Sequence, residues 1–269
     1  MRYLIILLLF ATTTIAQNKE ITIISWNIQH FGKTKNAEEI EKIAEIVKHA
    51  DIIAIQEVVT TFQGVQAVNR LTEALEKKGE SWDYLISEKT NSPSRMTECY
   101  AIVWKNKHIK IKKGHEGSLV KELDKMVDRE PFLVQFYVAD TSFFVMNYHA
   151  KPHKRNPRPE VKELLAYVQK NYKNKKFILA GDFNLSQSEE VFKNFKLAGF
   201  KPVNIDQKTT LKLICKNASY LNYPIDNIFY TPKINATSTK IIDFVKHCDN
   251  LTASRRLSDH LPVELKFRL

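Results

Sequence analysis

Two β-branched runs, "ITIISWNI" at residues 21–28 and "DIIAIQEV" at 51–58, flank a segment of helical period, "NAEEIEKIAEIVKHA" at 36–50. Neither run alternates apolar with polar residues, so each reads as a strand covered on both faces. Between them Ile40, Ile43, Ala44 and Val47 fall on one helical stripe, with charges on the other side. Strand, helix and strand in that order constrain the chain to an α/β architecture, because the helix must bury its stripe on the sheet.

The pattern continues downstream. A helix is expected from about Gln63 to Lys78, followed by strands at "WDYLIS" and "CYAIVWK". "FLVQFYV" and "SFFVMNYH" read as a hairpin joined by a tight turn at Ala139-Asp140. "RPEVKELLAYVQKNY" sets Pro159 at a helix start and carries Val161, Leu164, Leu165 and Val168 as its apolar stripe. "KKFILAGDF" reads as a strand with a polar end, "SEEVFKNFKLAGF" as a short helix, and "YPIDNIFYT" and "PVELKF" as the closing strands. Alternation dominates the first half, while a hairpin and shorter strands fill the second. Mixed sheets are therefore expected, not purely parallel ones.

The first sixteen residues, "MRYLIILLLFATTTIA", place one Arg before an apolar run and small residues before Gln17. That is the pattern of a secretory signal peptide cleaved after Ala16. The run is short for a membrane span, and no other stretch is long enough. The expectation is a secreted or periplasmic protein with no stable membrane insertion. The leader holds one Arg and no acid, so the formal charge of +11 becomes +10 in the mature 253 residues. A charge of that size suits a polyanion, either nucleic acid or an anionic surface. No Gly/Ser-rich or Pro-rich linker divides residues 17–269, so one domain is expected. Of the three cysteines, Cys99 lies in an apolar strand and reads as a buried thiol. Cys215 and Cys248 lie in polar surroundings and are the better pair for a disulfide in an exported chain, although three free thiols also fit.

Residues able to bind metal or move a proton recur where the apolar strands end, which is where α/β enzymes keep their chemistry. Asn27 sits in the first strand; alone it is best explained as a structural hydrogen-bonder. Glu57 closes a core strand, where an acid is seldom buried without a partner or a metal. His149 ends another and precedes Lys151, Lys154, Arg155 and Arg158, charges that suit phosphate oxygens or a solvated loop. Asp182 and Asn184 follow in "AGDFN", Asp226 in "PIDN", and Asp259 and His260 in "SDHLP". Strand ends of one chemistry are hard to read as unrelated caps; aligned, they converge on one cleft. The donors are oxygen-rich and no Cys pair has metal spacing, which favours Mg²⁺, Mn²⁺ or Ca²⁺ over structural zinc. Two histidines with several carboxylates point to metal-assisted phosphoester hydrolysis.

"WNIQHFGKTK", "DIIAIQEV", "ECYAIVWK", "REPF", "NYHAKP", "LAGDFN", "PIDNI" and "SDHLPVEL" occur in the order of the endonuclease/exonuclease/phosphatase superfamily. From about Ile21 to the last strand the chain resembles its deoxyribonuclease I-like branch. The resemblance implies one four-layer α/β/β/α sandwich, two packed mixed sheets flanked by helices, with the site at one edge. It implies that His149 and His260 are the acid–base pair, oriented by Glu98 and Asp226 respectively. It further places Glu57 on a metal, with Asn27, Asp182, Asn184 and Asp259 around the metal and scissile phosphate, and Arg129 on phosphate. His260 is taken as the base and His149 as the acid, although the reverse fits the sequence equally. With an ordinary histidine pKa of ~6.5, imidazole and imidazolium could coexist near neutral pH. Mg²⁺ or Mn²⁺ is the expected cofactor, with Ca²⁺ as a supporting ion, and DNA the expected partner of a monomer.

Deoxyribonuclease I proper tends to carry an Arg after the metal-binding Glu and a Tyr before the orienting Glu, where this chain has Val59 and Met96. That departure touches duplex preference more than phosphodiester cleavage. The rival expectation is a phosphoesterase of the same superfamily acting on a phospholipid or phosphoinositide head group. No amphipathic or aromatic docking segment stands out in its favour. A non-catalytic binding module is opposed by the complete set of His149, His260, Glu98 and Asp226.

Overall fold

The computed structural model describes residues 19–93 and 96–269; the expected signal peptide, residues 1–16, lies outside them. The chain opens with β1 (Ile21–Phe31), α1 (Ala37–Val47), β2 (Ile52–Val58) and α2 (Phe62–Glu76). β3 (Trp82–Ile86), β4 (Cys99–Lys105), β5 (Ser118–Leu119), β6 (Phe132–Val138) and β7 (Thr141–His149) follow. Then come α3 (Arg158–Tyr172), β8 (Phe177–Asp182), α4 (Lys193–Leu197) and β9 (Lys201–Pro202). β10 (Leu211–Lys216), β11 (Ser219–Leu221), β12 (Asp226–Tyr230), β13 (Asn235–Ile241), α5 (Leu251–Leu257) and β14 (Val263–Arg268) complete the order.

Local chemistry explains the elements that carry the frame. α1 starts at a reciprocal cap: the Asn36 side chain accepts from the Glu39 N–H at 2.9 Å, and the Glu39 carboxylate accepts from the Asn36 N–H at 2.9 Å. Its stripe of Ile40, Ile43, Ala44 and Val47 is buried, as the spacing predicts. β6 and β7 pair antiparallel from Phe132↔Asn147 to Val138↔Thr141, so the turn is the two residues Ala139-Asp140, with Ala139 at φ 47°.

Two six-stranded mixed sheets result. One runs β13-β14-β1-β2-β4-β3 and the other β5-β6-β7-β8-β12-β9. Ile23, Ala54, Ile102 and Leu265 of the first sheet face Val134, Phe143, Ile178 and Ile228 of the second in a continuous core. α1 and α2 cover the outer face of the first sheet through Ile40, Ile43, Val68 and Leu71. α3 and α4 cover the second through Val161, Leu164, Val168 and Phe195. This is the expected α/β/β/α sandwich.

The differences lie in the second half. The single short helix expected at "SEEVFKNFKLAGF" is a 3-10 turn, Glu190–Phe192, running into α4. β13 has no apolar alternation because it is an exposed edge strand, "NATSTKI". β10 and β11 form a separate hairpin, and Cys215 lies in β10 instead of a loop. It is bridged to Cys248 with a Cα–Cα distance of 5.7 Å, while Cys99 is a buried free thiol. No helix among the described residues is long and apolar enough to cross a membrane.

Candidate active site

The register of the second sheet assembles half of the site. His149 of β7 pairs with Asp182 of β8, and Asp182 pairs in turn with Asp226 of β12. Gly181 makes this possible: at φ 154° a Cβ there would lie 1.8 Å from the Tyr148 carbonyl oxygen. Asn27 and Glu57 come from β1 and β2 of the first sheet, which pair in parallel up to Asn27↔Gln56 before a register shift. Just past it His30 (φ 50°) and Glu57 (φ 63°) adopt left-handed backbone, strain of the kind held at functional sites. Asp259 and His260 lead into β14, and the Ser258 hydroxyl donates to the Asn27 carbonyl at 2.6 Å, tying the two segments together.

The histidines are arranged alike. Glu98 receives His149 Nδ1 at 3.0 Å from either oxygen, and Asp226 receives His260 Nδ1 at 2.9 and 3.0 Å. Thr209, which the sequence did not single out, donates from its hydroxyl to Asp226 at 2.6 Å. With Nδ1 held, each ring turns Nε2 to the same carboxylate: Asp182 Oδ2 lies 3.5 Å from His149 Nε2 and 3.9 Å from His260 Nε2. Two oriented imidazoles facing one point can take a proton on one side of a reacting atom and give one on the other.

Asn27 lies between two carboxylates, its Nδ2 donating to Glu57 at 3.1 Å and to Asp182 at 3.2 Å. Its Oδ1 is buried without a hydrogen-bond partner among the described residues. With a cation between the two carboxylates the amide would turn over, adding that oxygen to them and completing a donor set for a hard cation. Asp259 stands apart from this set. It accepts from Gln29 Nε2 at 3.0 Å and lies 3.9 Å from His260 Nε2. Asp182, Asp226 and His260 also come close enough to share an ion, but Asp226 is already committed to His260 and Thr209.

Residues 24–260 match the description "Endonuclease/Exonuclease/phosphatase family". The chain belongs to that family. It is 27% identical over 264 residues to deoxyribonuclease gamma of Mus musculus, covering 91% of this chain and 83% of that protein. It is 27% identical over 270 residues to a deoxyribonuclease of Thioalkalivibrio sp. (strain K90mix), covering 92% and 71%. A solved protein of unknown function from Enterococcus faecalis V583 shares the fold, with TM-score 0.66, 16% identity and coverage of 92% and 99%.

In this family member the charges are strongly coupled. Burial opposes the imidazolium of His260, but Asp226 and Asp182 outweigh it and push the pKa up to about 10. Burial likewise opposes a charged His149, and Glu98 raises it above the ordinary value. Both rings are therefore raised above the ordinary histidine value from which the coexistence of imidazole and imidazolium was expected. The surrounding carboxylates are the reason. Burial works to raise Glu57, yet His149, the His30 N–H, His260 and Asn27 hold it at about 2. Asp182 is raised, by burial first and by Asp226 second.

Two expected phosphate contacts are placed differently. Arg129 is 5% exposed and sits behind Glu98, its Nε 3.0 Å from that carboxylate and 2.9 Å from the Met96 carbonyl. Its Nη1 donates to the Ala150 carbonyl at 3.1 Å, so the guanidinium is occupied within the protein. Asn184 donates from Nδ2 to the same carbonyl at 3.0 Å and from its N–H to Asp182 at 2.8 Å. The basic loop is also partly neutralised: Lys151 and Arg155 lie by Asp128, and Arg158 pairs with Glu189. Lys154 has no acidic partner among the described residues.

Proposed function

We propose that the chain is a divalent-metal-dependent endonuclease that hydrolyses DNA phosphodiester bonds with little sequence preference. Family membership and two relatives named deoxyribonuclease support a hydrolase of phosphodiester bonds. The observation that carries the finer statement is the pair of carboxylate-backed imidazoles whose Nε2 atoms face Asp182. Glu57, Asp182 and Asn27 would hold Mg²⁺ or Mn²⁺, which supplies positive charge to offset the phosphate and to lower both imidazole pKa values.

His260 removes a proton from the attacking water through Nε2, while Asp226 holds the tautomer and stabilises the imidazolium. His149 gives its Nε2 proton to the leaving 3′ oxygen, oriented by Glu98, which Arg129 braces from behind. Asp259 and Asn184 line the mouth of this arrangement. The leader pattern and the Cys215–Cys248 bridge support export to an oxidising compartment.

Supercoiled plasmid with Mg²⁺ or Mn²⁺ tests the proposal. Nicking is expected, lost with EDTA and in His149→Ala. An inactive wild type that instead releases a lipid head group would replace DNA by the phospholipid substrate.

A further inference from the structure

β1 and β2 fall out of step where the first sheet reaches the cleft. Between Asn27↔Gln56 and Phe31↔Val58, β1 advances four residues and β2 two. A bulge of this kind re-aims the side chains it contains. Asn27 turns to Glu57 and Asp182, and Gln29 reaches Asp259 with Nε2 at 3.0 Å. His30 lies in the same bulge, and the hydrolytic arrangement gives its ring no part.

His30 is nevertheless fixed beside the candidate cation site. From its left-handed backbone (φ 50°) the N–H donates to Glu57 Oε2 at 3.0 Å, and the Thr34 hydroxyl donates to its carbonyl at 2.9 Å. The ring comes to the same carboxylate oxygen, with Nδ1 3.8 Å from Glu57 Oε2. Among the described residues the ring makes no hydrogen bond, and the side chain is 72% exposed, so packing does not account for its place. An ion pair that open to water contributes little. The separation is too long for a hydrogen bond. It suits two donors on one cation, because with ligand distances of about 2.1 Å two donors lie roughly 3 to 4 Å apart.

We propose that His30 is a nitrogen ligand of the cation held by Glu57, and that it makes the site select a first-row transition ion over Mg²⁺. This rests on the reading of Glu57 as a cation ligand and is independent of DNA as the substrate. Asn27, Glu57 and Asp182 offer only oxygen to an ion, a set that accepts Mg²⁺ and Mn²⁺ alike. One imidazole changes that balance. Mg²⁺ gains little from a nitrogen donor, whereas the same donor strengthens binding progressively from Mn²⁺ to Co²⁺ and beyond. The open setting leaves the side-chain torsions of His30 free to bring Nδ1 onto the ion, while the bulge holds its backbone in place.

The test is His30→Asn, which sets an amide oxygen where Nδ1 stood and uses a residue that tolerates left-handed backbone. Protein stripped of metal is titrated with CoCl₂ and with MgCl₂ in a calorimeter, with no substrate present. The variant is expected to weaken Co²⁺ binding at least about tenfold and Mg²⁺ binding less than about threefold. Proton spectra of the wild type with Co²⁺ should show a paramagnetically shifted His30 ring signal that the variant lacks. Unchanged Co²⁺ affinity in the variant overturns the proposal and leaves the ring outside the coordination sphere. Equal weakening of both ions also overturns it, since His30 would then only support the Glu57 carboxylate. Glu57→Gln is titrated alongside. If it binds both ions as tightly as the wild type, the reading of Glu57 as a cation ligand fails, a result distinct from failure of His30 alone.

Discussion

Asp226 shows how much of the site resides in one orienting contact. Both its oxygens lie within 3.0 Å of His260 Nδ1, and Thr209 holds one of them. Asp226→Asn keeps the shape but can present its amide to Nδ1, which stabilises the wrong tautomer. By the logic of an orienting carboxylate, kcat should fall by about 10³-fold or more with little change in KM, measured on plasmid or oligonucleotide. The same carboxylates set a pH signature in the metal-free protein. His260 is raised from its ordinary value to about 10 on folding. A folded pKa above the unfolded one adds stability that is fully present below about pH 6.5 and disappears as pH rises toward 10. Urea midpoints in EDTA should therefore decline across that window for the wild type. His260→Gln should flatten the decline; an equal slope in both would assign it to other groups.

At the scale of elements, the approach of β7 to β8 decides whether the polar ends meet. Gly181→Ala puts a methyl group into the Tyr148 carbonyl, a clash only backbone movement can relieve. Stability should drop by about 2 kcal/mol or more, and activity should fall further because His149 and Asp182 flank the displaced residues. Chemical denaturation read beside the rate separates the two effects. What the sequence revealed follows the same division. β1, α1 and β2 were legible because β-branched runs and a clean helical stripe are local signals. His149, Asp182 and Asp226 were legible as polar strand ends, which the register of the second sheet brings together, while His260 lies just ahead of β14 and the roles assigned to them came from the family resemblance. Arg129 was legible as a motif residue but not in its place, since its partners, Glu98 and the carbonyls of Met96, His149 and Ala150, all lie far from it in the chain. Thr209 gave no signal at all: only the chain's return beside β12 puts its hydroxyl on Asp226. The β10–β11 hairpin was hidden because its register shifts between Leu211 and Lys216, and the exposed Leu213-Ile214 step breaks the alternation that would announce a strand.

For the whole molecule, the consequential fact is that the candidate cation site draws on both sheets. Asn27 and Glu57 belong to the first sheet and Asp182 to the second; deeper in, the sheets are also joined by Gln56 Nε2 donating to Asn147 Oδ1 at 2.6 Å, with the apolar core beyond. The two carboxylates face each other across Asn27. An ion bound there would join the layers at their polar edge and would be lost on unfolding, so its binding energy adds to global stability. At a free concentration 100 times its Kd, a ligand specific to the folded state adds about 2.7 kcal/mol. For a chain of this length that corresponds to a rise in Tm of roughly 5–10 °C. Saturating Mg²⁺ or Mn²⁺ should produce that rise in the wild type by calorimetry, with no substrate present. Glu57→Gln, which removes one anionic donor from the first sheet, should reduce the rise to near zero while the EDTA protein still melts cooperatively. If the variant gains as much as the wild type, the ion binds elsewhere, and the charge linking the two sheets must come from the protein alone.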